Sequence, residues 1–153
     1  MKRFFIINMT IIFCIPLFTF NVNAETKAEK YLGQKEMCLE TIRIKETSVL
    51  DNQTILFEMR DGSIYINRLP AASPGLKIAG GFQYSTSIAK LCKQDSIKTV
   101  SPGSAPASTA MLGDFIKFKE KGTINHVEKL LEGGLLKELV DENAFTEIST
   151  EKK

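Results

Sequence analysis

The amino-acid sequence predicts a mainly β domain: a small antiparallel β-barrel or sandwich with a short N-terminal helix and a C-terminal helical tail. Three observations predict it. Two strand-like runs flank Asp61-Gly62, a dipeptide typical of tight hairpin turns. Further short segments of strand character follow at close spacing, as in small barrels and sandwiches. Beyond residue 118, apolar residues recur at helical spacing instead.

Residues 1–24 are typical of a cleavable secretory signal peptide. Lys2 and Arg3 give a positive start, and the clean apolar core, residues 11–18, is too short to cross a bilayer, which takes about 20 apolar residues. A retained N-terminal anchor is the alternative, and Pro16 within the core argues against it. We therefore predict cleavage after Ala24, a periplasmic or secreted location, and no transmembrane segment in the mature chain.

Cleavage would also remove the excess positive charge. The whole chain has 20 Lys and Arg against 18 Asp and Glu, and the signal peptide takes Lys2 and Arg3 with it but no acidic residue. The mature chain then balances at 18 against 18, because 20 less 2 is 18. A neutral domain has no global attraction to nucleic acid or anionic lipid, so no nucleic-acid partner is predicted.

The cysteines point to one structural disulfide. Cys14 would leave with the signal peptide, and Cys38 and Cys92 would remain. In an oxidising compartment, two thiols most simply form one bridge. A redox or metal pair is the rival interpretation, but it normally needs closely spaced cysteines or histidine ligands, and His126 is the only histidine.

The strongest local signal is a β-hairpin around Asp61-Gly62. A two-residue type I′ turn needs positive φ at both positions, which this dipeptide tolerates. That turn would place Met59 opposite Ile64 and Phe57 opposite Ile66. These four residues would then face the core, and the alternate positions would face away from it, namely Leu56, Glu58, Tyr65 and Asn67.

The other elements divide the mature chain into a β-rich domain, residues 25–118, and a helical tail, residues 119–153, disordered after Phe145. The predicted elements of the domain are a short helix within residues 25–40, strands from Thr41 and over residues 82–87, 96–100 and 111–118, turns at Pro74-Gly75 and Gly80-Gly81, and a loop over residues 101–110. In the tail, Asn125 with Glu128 predicts a helix start, and Gly133-Gly134 predicts a break between two helices.

The chemistry favours binding over catalysis. His126 lies at a helix start, Gly80-Gly81 lacks the residues of a phosphate loop, and no cofactor or metal site is predicted. We expect a non-enzymatic binding or accessory module of the cell envelope, whose partner would be another envelope protein. A small periplasmic enzyme with an Asp/Arg/Tyr site is the alternative, and a cleft gathering Asp51, Asp95 or Arg68 would favour it. An open apolar patch would favour binding.

Four residues are candidates for the binding surface. If the predicted hairpin register holds, Tyr65 and Asn67 face away from the core with Arg68 just beyond, and Tyr84 lies on a later strand. Tyrosine and arginine are enriched where proteins bind other molecules. The competing expectation is that a helix covers this face and makes Tyr65 a packing residue, because a small sheet gains stability when it is covered.

An ordered series of motifs over residues 36–116 resembles domain-of-unknown-function family 6491, small exported proteins of proteobacteria. The resemblance implies a Gram-negative envelope location and implies no activity or catalytic residue. The motifs that carry it are Cys38-Leu39, Val49-Leu50-Asp51-Asn52-Gln53-Thr54-Ile55-Leu56-Phe57, Tyr65-Ile66-Asn67-Arg68-Leu69, Pro74-Gly75-Leu76, Leu91-Cys92 with Asp95 and Ile97, and Leu112-Gly113 with Phe115.

The resemblance also bears on the cysteines. Many family members have one cysteine before the Pro-Gly-Leu motif and another just before Leu-Gly-x-Phe, where this chain has Ser73 and Ala110. The joint loss of both implies that those two cysteines form a bridge elsewhere in the family. That leaves Cys38 to pair with Cys92 in this chain.

Overall fold

The computed structural model describes residues 27–86, 88–100, 108–120, 122–141 and 144–147. The predicted signal peptide lies outside the described residues, as do residues 101–107 of the predicted loop. The largest sheet has five antiparallel strands in the order β1-β10-β5-β4-β3. Its strands are β1 Leu32–Glu36, β3 Ile44–Val49, β4 Thr54–Met59, β5 Ile64–Arg68 and β10 Phe115–Phe118, and a helical turn, α1 Lys27–Tyr31, precedes β1.

Two smaller antiparallel sheets lie beside it. One pairs β2 Cys38–Glu40 with β7 Lys90–Cys92, and the other has β6 Phe82–Tyr84, β8 Ser96–Thr99 and β9 Thr109–Met111 in the order β6-β8-β9. A 3₁₀ turn, Thr41–Arg43, follows β2, and a short helix, α2 Leu76–Ala79, lies between β5 and β6.

The predicted mainly β, antiparallel fold with a C-terminal helix is confirmed, but the described strands do not close into a barrel. The reason lies in where the chain changes sheets. Met37 forms a bend between β1, which pairs with β10, and β2, which pairs with β7. The predicted strand over residues 111–118 is likewise two strands, because β9 ends at Met111 in one sheet and β10 begins at Phe115 in another.

Both faces of the five-stranded sheet are buried at its central strands, and all six residues of β4 are buried. One face packs against the tail, through sheet residues that include Leu56 and Ile66 and tail residues that include Val127 and Leu139. The other face packs against the smaller sheets, with Phe57 close to the rings of Phe82 and Phe115.

The predicted hairpin forms, but its predicted register is wrong by one residue. Glu58 pairs with Ile64, Leu56 with Ile66, and Phe57 with Tyr65. The loop has three residues, Arg60-Asp61-Gly62, since the Met59 N–H donates to the Ser63 carbonyl at 2.8 Å. Only Gly62 in this turn has positive φ, at 79°, and the Asp61 carboxylate instead accepts the Ser63 N–H at 2.9 Å. A type I turn followed by a left-handed glycine produces this geometry.

The tail folds as α3 Ile124–Leu130, a π-helical turn over Leu131–Leu135, α4 Leu136–Asp141 and α5 Ala144–Glu147. The predicted break is confirmed by the non-helical φ of Gly134, 116°. The expected disorder after Phe145 stays a prediction; α5 ends at Glu147, and residues 148–153 lie outside the described part of the chain. The Lys35 ammonium donates to the Phe145 carbonyl at 3.1 Å and ties this last helix to β1.

The predicted N-cap at Asn125 is wrong, because the sheet supplies the cap. Thr123 is the N-cap position and makes no side-chain cap. The Ile124 N–H instead donates to the buried Glu58 carboxylate on β4 at 3.0 Å, and the Lys45 ammonium donates to the same carboxylate. The Lys45 hydrogen bond first, and the Ile124 N–H second, hold the pKa of Glu58 below its usual range. An ionised carboxylate thus satisfies a helix N–H that would otherwise be buried unpaired.

Candidate binding surface

Two of the four predicted binding residues are buried. Tyr65 is only 6% exposed, and its hydroxyl donates to the Glu36 carboxylate at 2.7 Å. Burial first, and this hydrogen bond second, raise the pKa of Tyr65 well above its usual value. Asn67 is fully buried, and its side chain makes two hydrogen bonds to the backbone of Gly113. Its Nδ2 donates to the Gly113 carbonyl at 2.9 Å, and its Oδ1 accepts the Gly113 N–H at 3.0 Å. The expectation that both residues face away from the core is therefore wrong.

The other two predicted residues lie apart from each other. Arg68, at the end of β5, donates to Thr54 Oγ1 and Gln53 Oε1, both at 3.1 Å, and its guanidinium carbon lies 5.7 Å from the centre of the Phe145 ring. Tyr84 lies on β6, in a different sheet, and is 38% exposed. The structure therefore does not bring the four residues together on one exposed surface.

The polar residues considered for an enzyme site make local hydrogen bonds. The Asp51 carboxylate accepts the Gln53 N–H at 2.6 Å, which forms an Asx turn. The Asp95 carboxylate accepts the Cys92 N–H, also at 2.6 Å. Within the described residues, no group of three or more His, Cys, Asp or Glu side chains could hold a metal ion. In the same part of the chain, no helix has the length and apolarity needed to cross a membrane.

The predicted disulfide between Cys38 and Cys92 is present and joins β2 to β7. The two cysteines face each other directly across the strand pair. Their Cα atoms are 3.9 Å apart, closer than the roughly 4.4–6.8 Å usual for disulfides. Because the Cys92 N–H donates to Asp95 and not to Cys38, this is a non-hydrogen-bonded pair, the type in which facing antiparallel residues come closest.

The strand pair β2–β7, hereafter the ribbon, has one buried face and one outer face. Leu39 and Leu91 pair with each other and are buried in the core. The alternate positions lie on the outer face, where Glu40 pairs with Lys90 next to the disulfide. We call this outer face, with the two isoleucines described next, the ribbon face: Cys38, Glu40, Ile42, Ile88, Lys90 and Cys92.

Two exposed isoleucines extend the ribbon face beyond the ends of its strands. The Thr41 N–H donates to the Ala89 carbonyl at 3.1 Å, which continues the pairing by one residue, and Ile42 follows in the 3₁₀ turn while Ile88 precedes β7. Ile42 is 75% exposed and Ile88 is 60% exposed. With Glu40, Ala89 and Lys90 they line an open hollow of about 380 Å³. The Arg60 Nε–H also donates to the Ile42 carbonyl at 2.9 Å, so the backbone here is held by the hairpin turn that follows β4.

The sequence holds a signal for this surface that was missed. Ile42 follows Cys38 by four residues, and Ile88 precedes Cys92 by four. Once the two cysteines are bridged on antiparallel strands, equal offsets in opposite directions place both isoleucines at the same end of the ribbon.

No protein-family model, curated protein or solved structure matches this chain. The resemblance to family 6491 stays a prediction. The motifs that carry the resemblance include residues of β4 and β5 and of the two ribbon strands, β2 and β7. Ser73, one of the two positions where family members carry cysteine, lies with its Oγ 2.7 Å from Ser108 Oγ.

Proposed function

We propose that this chain is an exported, non-enzymatic binding or accessory module of the cell envelope, which binds its partner through the ribbon face. The observation that carries the proposal is the hollow at the ribbon end, where Ile42 and Ile88 are exposed beside Glu40 and Lys90. Exposed apolar side chains grouped within a polar rim are typical of protein interaction sites.

The ribbon is built to present these side chains in a fixed arrangement. The disulfide joins its two strands, and Leu39 and Leu91 anchor it in the core. A surface that is already ordered loses less conformational entropy on binding, so more of the apolar contact energy appears as affinity. Glu40 and Lys90 add a charge pattern that favours a complementary partner.

The polar groups that an enzyme would use favour the binding function over the alternative. Asp51 and Asp95 each accept a nearby backbone N–H. Tyr65 donates a hydrogen bond to Glu36, and burial together with this hydrogen bond raises the pKa of its phenol, which makes the phenol harder to deprotonate. A tyrosine in this state is unsuited to act as a base or a nucleophile.

Export predicts a shortened chain. Protein recovered from the periplasm of a Gram-negative host should have an intact mass that corresponds to residues 25–153, with a further loss of two hydrogens for the Cys38–Cys92 bridge. Mass spectrometry before and after reduction measures both. A recovered species that still carries Met1 to Ala24 would contradict this part of the proposal.

Binding through the ribbon face predicts that a charge in the hollow abolishes capture. Ile42→Asp and Ile88→Asp should each reduce the yield of crosslinked partner from periplasmic extract by roughly tenfold or more, since burial of one isoleucine contributes about 1.5–3 kcal/mol. Their melting temperatures should stay near that of the unmodified protein, because both side chains are exposed.

Ile78→Asp is the matched control for this experiment. Ile78 is 88% exposed, lies on α2 and does not line the hollow, so its substitution should leave capture unchanged. Equal loss of capture in all three variants, or no loss in Ile42→Asp and Ile88→Asp, would refute the ribbon face as the binding surface.

A further inference from the structure

We infer that the partner at the ribbon face is a second copy of this chain, bound face to face across a two-fold axis parallel to the ribbon strands. This inference rests on the proposed function, because it names the occupant of the same surface. It is carried by the order of side chains along the ribbon face and by the charges of Glu40 and Lys90.

The ribbon face has three successive rows, two on the paired strands and one just beyond them. The first row is the disulfide and the second is Glu40 opposite Lys90. The third is formed by Ile42, in the 3₁₀ turn after β2, and Ile88, in the bend before β7, which line the same hollow. A two-fold axis parallel to the strands exchanges the positions of β2 and β7 and leaves the order of the rows unchanged. Each row therefore meets the same row of the second copy, which is the property of an isologous interface.

The charged row is complementary to itself under that rotation. Glu40 of one copy meets Lys90 of the second copy, and Lys90 meets the second Glu40. Within the described part of one chain, neither side chain forms an ion pair or a hydrogen bond, although their Cα positions are partners in the ribbon. Both residues are exposed and able to pair with another molecule.

The isoleucine row supplies the apolar contact of the same interface. Ile42 would pack on Ile88 of the second copy, so each hollow receives a side chain from the other molecule. The mature chain balances 18 basic against 18 acidic residues, and two copies therefore carry no net repulsion. The ribbon is small compared with the roughly 1,200 Å² or more of a stable interface, so we expect a weak, reversible dimer.

Charge reversal tests the inference, with sedimentation equilibrium of the disulfide-bonded mature protein at low salt as the measurement. Glu40→Lys alone would set two ammonium groups against each other across the interface, and Lys90→Glu alone would set two carboxylates against each other. Each variant should dimerise at least tenfold more weakly than the unmodified chain, because like charges at an interface repel. An equimolar mixture of the two variants restores opposite-charge pairs between the copies and should recover dimerisation.

The mixture separates contacts between copies from effects within one chain. Any repulsion across the ribbon of a single variant persists in the mixture, so recovered association must come from pairing between different molecules. Ile42→Asp should abolish association in the unmodified chain and in the mixture, whereas Ile78→Asp should leave it intact.

Three results would overturn the inference: a chain that stays monomeric at millimolar concentration, a mixture that does not recover, or a dimer that Ile42→Asp leaves unchanged. The first of these, together with isoleucine-dependent capture of a different envelope protein, would leave the proposed function standing. If Ile42→Asp and Ile88→Asp changed neither the capture of a partner nor the dimerisation of the chain, the proposed function and the dimer would both be refuted.

Discussion

Replacing Gly113 with alanine is expected to destabilise the folded domain by more than about 3 kcal/mol, at or beyond the upper end of the usual cost of overpacking. A Cβ atom at this position would lie 2.0 Å from the carbonyl oxygen of Arg68, a backbone atom that a rotamer change cannot move. Asn67 also holds Gly113 by both its N–H and its carbonyl. Relief of the clash would thus break two buried hydrogen bonds, each of which is costly to leave unmade.

Urea unfolding followed by circular dichroism measures this effect, and Gly81→Ala is its matched control. A Cβ atom at Gly81 would meet no atom within 4 Å, so that variant should unfold within about 1 kcal/mol of the unmodified protein. A Gly113→Ala variant as stable as Gly81→Ala would show that β10 and the end of β5 do not approach as closely as described.

The hairpin shows how far periodicity predicts this fold. The strands and the turn at Asp61-Gly62 are where the sequence predicts them. The register is not, because it depends on alternation between a buried and an exposed face, and here both faces of β4 and β5 are buried. An apolar run such as Ile55-Leu56-Phe57 packs equally well in either register, and the turn chemistry of Asp61 decides between them.

The tail shows a second limit. Its helices and the break at Gly134 are local features and follow from apolar spacing and glycine conformation. Its start is fixed by Glu58, which lies 66 residues earlier in the chain and reaches the Ile124 N–H through the sheet. A cap supplied by a distant strand leaves no mark in the local sequence, so Asn125 is the natural but wrong prediction.

The candidate binding residues are misplaced for a related reason. The sequence predicts that one face of the hairpin is core. For the other face, with Tyr65 and Asn67, it leaves two expectations, an open binding surface or a face that another segment covers with Tyr65 as a packing residue. In the structure the tail covers one face and the smaller sheets cover the other. The exposed apolar pair Ile42 and Ile88 lies elsewhere, just after β2 ends and just before β7 begins, where both side chains line the hollow.

Tyr65→Ala is therefore expected to lower the free energy of unfolding by about 3–5 kcal/mol, as for other buried aromatic side chains. The ring lies in the apolar cluster between the five-stranded sheet and the smaller sheets, and its removal leaves a cavity there. Tyr65→Phe keeps the ring and loses only the hydrogen bond to Glu36, so it should cost about 1 kcal/mol. Chemical unfolding of the three proteins measures the difference.

Tyr84→Ala is the control that separates packing from surface effects, because Tyr84 is 38% exposed and its ring centre lies 6.3 Å from that of Phe82. It should cost about 1 kcal/mol, the scale of one aromatic contact. If Tyr65→Ala proved no more destabilising than Tyr84→Ala and instead abolished capture of a partner, Tyr65 would belong to a binding surface after all. The large loss expected here follows from the burial of both faces of the sheet.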